Sequence, residues 1–321
     1  MNSIKKMMLS GALGCLISGM AYADGSSPQP VKPYWQDIQV VAVNKEKPRS
    51  SFMSYADRET ALTSRFEKSP YYSLLNGTWK FFFVDSYKDL PQNITDPSVN
   101  TSSWDDITVP GNWEVQGHGV AIYTNHGYEF KPKNPQPPLL PEANPVGVYR
   151  RDIEIPASWD NRDIYLHIGG AKSGLYVYLN GKEVGYSEDS KNPAEFLINK
   201  YLQPGKNVLT LKIFRWSTGS YLECQDFWRM SGIERDVFLW SQPKASIQDF
   251  RVVSTLDDTY TNGIFKLAVD LKNHTQETKN LNVGYELLDA KGNLVASEAN
   301  DIWVSPASPQ TAVSHSLDSP P

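Results

Sequence analysis

The sequence predicts an all-β protein: a β-sandwich or jelly roll followed by an immunoglobulin-like β-sandwich that is incomplete. Three observations predict it. Aromatics make up 12% of the residues, with 21 Gly and 22 Pro, a mix that favours strands joined by turns. Apolar residues alternate with period two in several short runs, the mark of strands. No comparable run carries the 3.6-residue period of a long helix. The length, 321 residues, suits about two domains.

Residues 1–23 read as an export signal. Lys5 and Lys6 form a positive n-region, residues 7–20 are apolar and uncharged, and Ala21-Tyr22-Ala23 is an A-x-A cleavage site. The mature chain is expected to begin at Asp24, in the periplasm or outside the cell. The apolar stretch is shorter than the roughly 20 residues a membrane span needs, and no other segment is long and apolar enough to cross a bilayer. Loss of Lys5 and Lys6 takes the formal net charge from -5 to -7, which argues against a nucleic-acid partner. Loss of Cys15 leaves Cys224 alone, so no internal disulfide is expected.

Residues 24–50 contain Pro28, Pro30, Pro33 and Pro48 and read as an irregular leader draped over a domain. The first sandwich is expected over residues 51–245. Gly77–Val84 and residues 147–155 read as strands. Ile164, Leu166 and Ile168 alternate with Tyr165 and His167, which predicts a half-buried strand. Leu175, Val177 and Leu179 alternate with Tyr176 and Tyr178 in the next one. Asn180-Gly181 follows, a hairpin signal, because a type I′ turn needs φ > 0 at both positions. Residues 208–214 and 237–240 complete the set, and Pro243 breaks the pattern. Residues 246–321 hold further strands at 247–253, 263–271, 281–288 and 294–297. An immunoglobulin-like sandwich needs about 100 residues and seven strands. This region is shorter, and residues 304–321 are rich in Ser and Pro, so the second domain reads as partial.

Three clusters stand out chemically. Residues 215–237 place Glu223, Asp226, Glu234 and Asp236 among Arg215, Arg229 and Arg235, with Trp216, Tyr221, Phe227 and Trp228. Charges beside aromatics are costly to desolvate unless paired, so this segment is expected to be an internally bonded element that shapes a surface. Val109-Pro110-Gly111-Asn112-Trp113 and Ile122-Tyr123-Thr124-Asn125 form the second cluster. The amide of Asn125 suits a sugar hydroxyl, which donates and accepts; an Asn bonded to nearby backbone is the alternative. The third is Glu188-Asp189-Ser190 with Pro193 and Glu195-Phe196, in a loop after the hairpin. Asp189 offers oxygens for a hard cation; an Asx turn or an ion pair with Lys191 are the alternatives. Glu223 with Asp226, or Glu188 with Asp189, could be proposed as glycosidic dyads. Two carboxyls must face the scissile bond from opposite sides, however, and adjacent acids in one loop do not establish that. His118, His126, His167, His274 and His315 have no zinc-like spacing. No nucleophile elbow, phosphate loop or dinucleotide fingerprint is present.

Together these clusters resemble the glycoside hydrolase family 2 β-galactosidases of the large multidomain bacterial type, over roughly residues 35 to 300. The resemblance implies a galactose-binding-domain-like jelly roll, an immunoglobulin-like domain, and then a (β/α)₈ barrel that carries the catalytic acid/base and nucleophile. It assigns no catalytic residue in this chain, and the chain by itself is expected to be inactive. Asn125 matches the family residue that bonds a galactose hydroxyl. Asp189 matches the one that helps hold a sodium ion and the galactose 6-hydroxyl. Magnesium ligands are expected in the barrel. The implied chemistry is hydrolysis of terminal β-D-galactosides with retention, through two carboxyls about 5 Å apart. The implied partners are the galactoside and the barrel, and the full-length form could be a homo-oligomer. Cys224 departs from the family pattern and receives no role. A non-catalytic carbohydrate-binding protein and another family 2 activity, such as a glucuronidase or mannosidase, are the competing readings.

Overall fold

A computed structural model describes residues 32–131, 134–306 and 310–319, with side chains through residue 306. The export signal read at residues 1–23 lies outside the described residues. The only α-helix among them is the five-residue Arg58–Leu62, whose N-cap Asp57 accepts from Thr60 N. Everything else of regular form is strand or a 3₁₀ turn, in agreement with the all-β reading.

Strand β1 (Ala42–Val43) lies in the leader. Then come β2 (Tyr72–Leu74), β3 (Gly77–Val84), β4 (Asp105–Val109), β5 (Gly111–Asn112), β6 (Ile122–Thr124), β7 (Val146–Glu154), β8 (Arg162–Ile168) and β9 (Ala171–Lys172). The hairpin β10 (Gly174–Leu179) and β11 (Lys182–Ser187) follows, then β12 (Ala194–Leu197), β13 (Lys206–Phe214), β14 (Phe227–Arg229), β15 (Gly232–Ile233) and β16 (Val237–Pro243). Asn180 and Gly181 have φ of 53° and 77°, as a type I′ turn requires.

The first sandwich consists of a seven-stranded sheet, β1-β11-β10-β13-β7-β3-β4, and a four-stranded sheet, β12-β8-β16-β2. Alternate residues of both sheets meet in one core that includes Trp79, Phe81, Tyr149, Leu166, Leu175, Val177, Phe196 and Leu211. The opposite faces are covered as well. Trp35, Ile94 and Trp104 pack on Val148, Tyr176 and Phe214, and Met53 packs with Tyr165, Phe238 and Trp240. The strand over residues 164–168 is therefore buried on both faces rather than half-buried, because the chain before β2 folds back over Tyr165. The leader is also more than a drape. Trp35 is 2% exposed and stacks on Phe214 at 5.0 Å. β1 pairs with Tyr186 and Ser187 of β11, which shortens the open edge of the large sheet.

One residue after β16, the second sandwich begins with β17 (Ala245–Leu256) and β18 (Gly263–Asn273). It continues with β19 (Lys279–Leu288), β20 (Leu294–Val304) and β21 (Gln310–Ser319). Sheet β17-β18-β21 faces the pair β19-β20 across Val269, Leu271 and Val304, with Phe250, Leu281 and Ile302 beside them. The sequence picks out no strand in the Ser-rich stretch that forms β21. Pairing along β18, from Gly263↔Ser319 to Leu271↔Gln310, runs through the backbone and does not require an apolar side-chain pattern.

Candidate functional site

The three clusters converge on one end of the seven-stranded sheet. β11 finishes at Ser187 opposite Leu175, the second residue of β10. β13 finishes at Phe214 opposite Gly174 and Val146, where β7 starts. The chain after β11 and after β13 therefore leaves the sheet at the same end at which it enters β7.

Buried polar groups lock these loops together. Glu188, 3% exposed, accepts from Tyr186 Oη, Thr218 Oγ1 and Gly219 N, each at 2.7 Å. Burial pushes its carboxyl above the usual value, against the pull of those donors. Both oxygens of Glu223 accept from Ser190, from its N at 2.9 Å and its Oγ at 2.6 Å. Asn144, wholly buried, donates to Trp216 O at 2.8 Å and accepts from Trp216 N at 3.0 Å. Arg215 Nη2 donates to Val120 O at 3.0 Å and Arg229 O at 3.1 Å, and Arg229 Nη1 donates to Glu223 O at 2.8 Å. Glu114 and Glu129 lie 3.7 and 3.5 Å from Arg215, and Glu129 also meets Lys172 at 3.2 Å. The charges of residues 215–237 thus make ties mostly to other segments, rather than bonding the segment to itself as the sequence suggested. Glu188 and Glu223 are consumed by them, so neither carboxylate pair forms a catalytic dyad.

Asp189 and Asn125 are exposed on the outside of this assembly. Asp189 accepts from Asn192 N at 3.3 Å and Asn192 Nδ2 at 2.8 Å, an Asx-type turn. Burial alone would raise its carboxyl, but the Asn192 donors and the Lys45 charge outweigh it and hold it below the usual range. Lys191 pairs with Glu234 instead. Asp189 borders a cavity of about 330 Å³ walled by Phe52, Phe66, His167 and Phe238. Asn125 follows β6. Its Oδ1 lies 2.8 Å from His126 Nδ1, and its Nδ2 has no partner among the described residues. No hydrogen bond joins Asn125 to Asp189 directly. They are linked through the sequence Ser190, Glu223, Arg229 and the β14–β6 pairing.

The described residues contain no group of three or more His, Cys, Asp or Glu that could hold a metal ion. Asp189 supplies oxygens of the right hardness for sodium, but only one carboxylate, so a cation there would need further ligands from elsewhere. Two features escape the sequence reading: the buried Glu114 and Glu129 beneath Arg215, and the exposed ring pair Tyr123–Trp228. The first lacks any spacing signal. The second can be found only once β6 and β14 are known to pair.

Comparison with known proteins adds a family. The profile of the glycosyl hydrolases family 2 sugar binding domain matches residues 72–243. The β-galactosidase of Priestia megaterium is 39% identical over 267 residues, covering 82% of this chain and 26% of that protein. The β-galactosidase of Halalkalibacterium halodurans is 38% identical over 290 residues, covering 89% and 28%. The chain thus spans about a quarter of the length of these curated relatives. A Bacteroides uniformis β-glucuronidase superposes with a TM-score of 0.63 at 18% identity, covering 78% of this chain and 28% of that one. At that identity the likeness concerns the fold alone.

Proposed function

The chain belongs to glycosyl hydrolase family 2, and from that premise we propose that it is the sugar-orienting, N-terminal part of an exported β-galactosidase. One observation carries the reading. Asn125 and Asp189 stand exposed on loops that a single buried network fixes at one end of the sandwich, in a region whose relatives at 38–39% identity are β-galactosidases. Asn125 would bond a galactose hydroxyl through its free Nδ2. Asp189 would face the 6-hydroxyl and a sodium ion, with the remaining ligands coming from outside this chain. A site that bonds hydroxyls rejects analogues lacking them, because its own polar groups go unpaired. The bond-breaking step, retention through a nucleophilic carboxylate, is assigned to a barrel beyond these residues, together with the magnesium ligands.

The test is a chimera in which this chain replaces the matching quarter of the Priestia megaterium β-galactosidase, assayed on methyl β-galactoside and lactose. The chimera is expected to hydrolyse both, and the 321-residue chain by itself neither. Asn125→Ala and Asp189→Ala should each lower kcat/KM about tenfold, since one hydrogen bond to a hydroxyl is worth about 1.4 kcal/mol. Turnover by the purified chain alone, tight galactose binding with no effect in the chimera, or a chimera that prefers a glucuronide would each overturn the reading.

A further inference from the structure

The β6–β14 ribbon displays a side-chain set that the loop-holding network does not use. Its register places Tyr123 opposite Trp228, and directly opposed residues share a face. The rings meet edge to face at 5.6 Å. Tyr123 is 55% exposed and Trp228 51%, whereas Arg229, next along β14, is buried. Tyr123 Oη donates to Asp226 Oδ1 at 2.9 Å, which brings that carboxylate onto the same face. Asp226 Oδ2 has no partner among the described residues, and Asn125, with its free Nδ2, follows two residues after Tyr123. A flat indole, an open carboxylate oxygen and an open amide donor thus adjoin one another in solvent.

That combination matches the two-sided chemistry of a pyranose. One ring face presents C–H groups and is apolar, while the rim presents hydroxyls that donate and accept. Apolar walls with a few placed polar groups are the general form of such sites, and Trp supplies a large rigid contact area. Two residues of extended chain span about 7 Å, roughly one sugar ring. The Tyr123–Trp228 pair therefore lies about one ring away from whatever Asn125 holds.

We propose that this ribbon face is a saccharide platform on which Trp228 stacks against the sugar next to the galactose, with Asp226 accepting its hydroxyls. The inference rests on the galactoside reading above and deepens it, since it assigns this chain a share in choosing the leaving group. In the full chain, the indole N–H signal of Trp228, assigned with Trp228→Phe, is expected to shift saturably on titration with lactose and to shift less with methyl β-galactoside. In the chimera, Trp228→Ala should raise KM about tenfold for lactose, leave KM for methyl β-galactoside unchanged, and leave kcat unchanged for both. Trp228→Tyr should restore most of the lactose KM. A Trp228 signal that lactose does not move overturns the platform. So does an unchanged lactose KM in an active chimera whose melting temperature Trp228→Ala has lowered, because the face is then a protein contact and the galactosidase reading stands. With an inactive chimera and a lactose-dependent Trp228 signal, the platform stands and the enzymatic reading falls.

Discussion

The two sandwiches use the same kind of strand and differ in what covers their outer faces. In the first, the leader with Trp35, the loop with Ile94 and Trp104, and the segment with Met53 wrap the outside of both sheets, so even residues such as Tyr165 and Tyr176 are buried. In the second, fully buried apolar side chains lie between the sheets, and Val252, Val253, Leu256, Leu294, Val295 and Trp303 are exposed. Burial of apolar area is the main source of stability, so the wrapped first sandwich is expected to be the more stable of the two. The loops that carry Asn125 and Asp189 spring from the wrapped half, where positional precision is easiest to maintain.

The largest expected effect tests that difference directly. Phe81 is fully buried, with ring centres of Tyr149 at 4.7 Å and His118 at 4.8 Å. Phe81→Ala should cost about 3–5 kcal/mol, whereas Phe265→Ala, in the half-exposed ring pair with Tyr285, should cost about 1 kcal/mol. Chemical denaturation with hydrogen exchange measures both. Equal losses would mean that the second sandwich is as well packed as the first.

Next in size is the polar seam between the halves. Asp163, 4% exposed at its side chain, meets Lys272 at 3.1 Å and His274 at 2.7 Å. Burial alone would raise its carboxyl; the His274 hydrogen bond and the Lys272 charge outweigh that and lower it. A carboxyl lowered in the folded state contributes stability that is fully present above its unfolded value of about 3.9 and is lost as pH falls through the lowered one. Acid should therefore free β17 and β18 to exchange before the first sandwich opens. Asp163→Asn should remove that acid step and, by leaving Lys272 buried without its charge partner, cost about 3 kcal/mol at neutral pH. Exchange in β17 that stays unchanged down to pH 3 would show that the seam does not hold the halves together.

What was legible in the sequence follows the range of the forces involved. Period-two alternation from Leu175 to Leu179 and the Asn180-Gly181 turn are local, and strand β10 and the turn stand where the pattern puts them, whereas Glu195 and Phe196, read as loop, lie in β12. The crowding of acids, arginines and aromatics in residues 215–237 likewise announces paired charges, but the partners come mostly from other segments and not from the segment itself. Partners distant in sequence were not legible. Trp35 reaching Phe214, Asp163 reaching Lys272 across 109 positions, and Tyr123 facing Trp228 are products of topology. The burial of Glu188, one residue from the exposed Asp189, was hidden for the same reason, since both read as loop acids until Thr218 and Gly219 arrive from another segment.

The smallest expected effect sharpens the comparison from the uncovered side. Trp303, 65% exposed, sits on β20 opposite Asn280, where no side chain of the described residues encloses it. Removing an exposed ring gives up little burial, so Trp303→Ser should move stability by less than about 0.5 kcal/mol. The same change should reduce concentration-dependent self-association in sedimentation velocity, because exposed apolar side chains on a sheet favour contact between chains. A loss of about 2 kcal/mol would mean that Trp303 is packed in solution, and the outer face of the second sandwich would then be covered as thoroughly as that of the first.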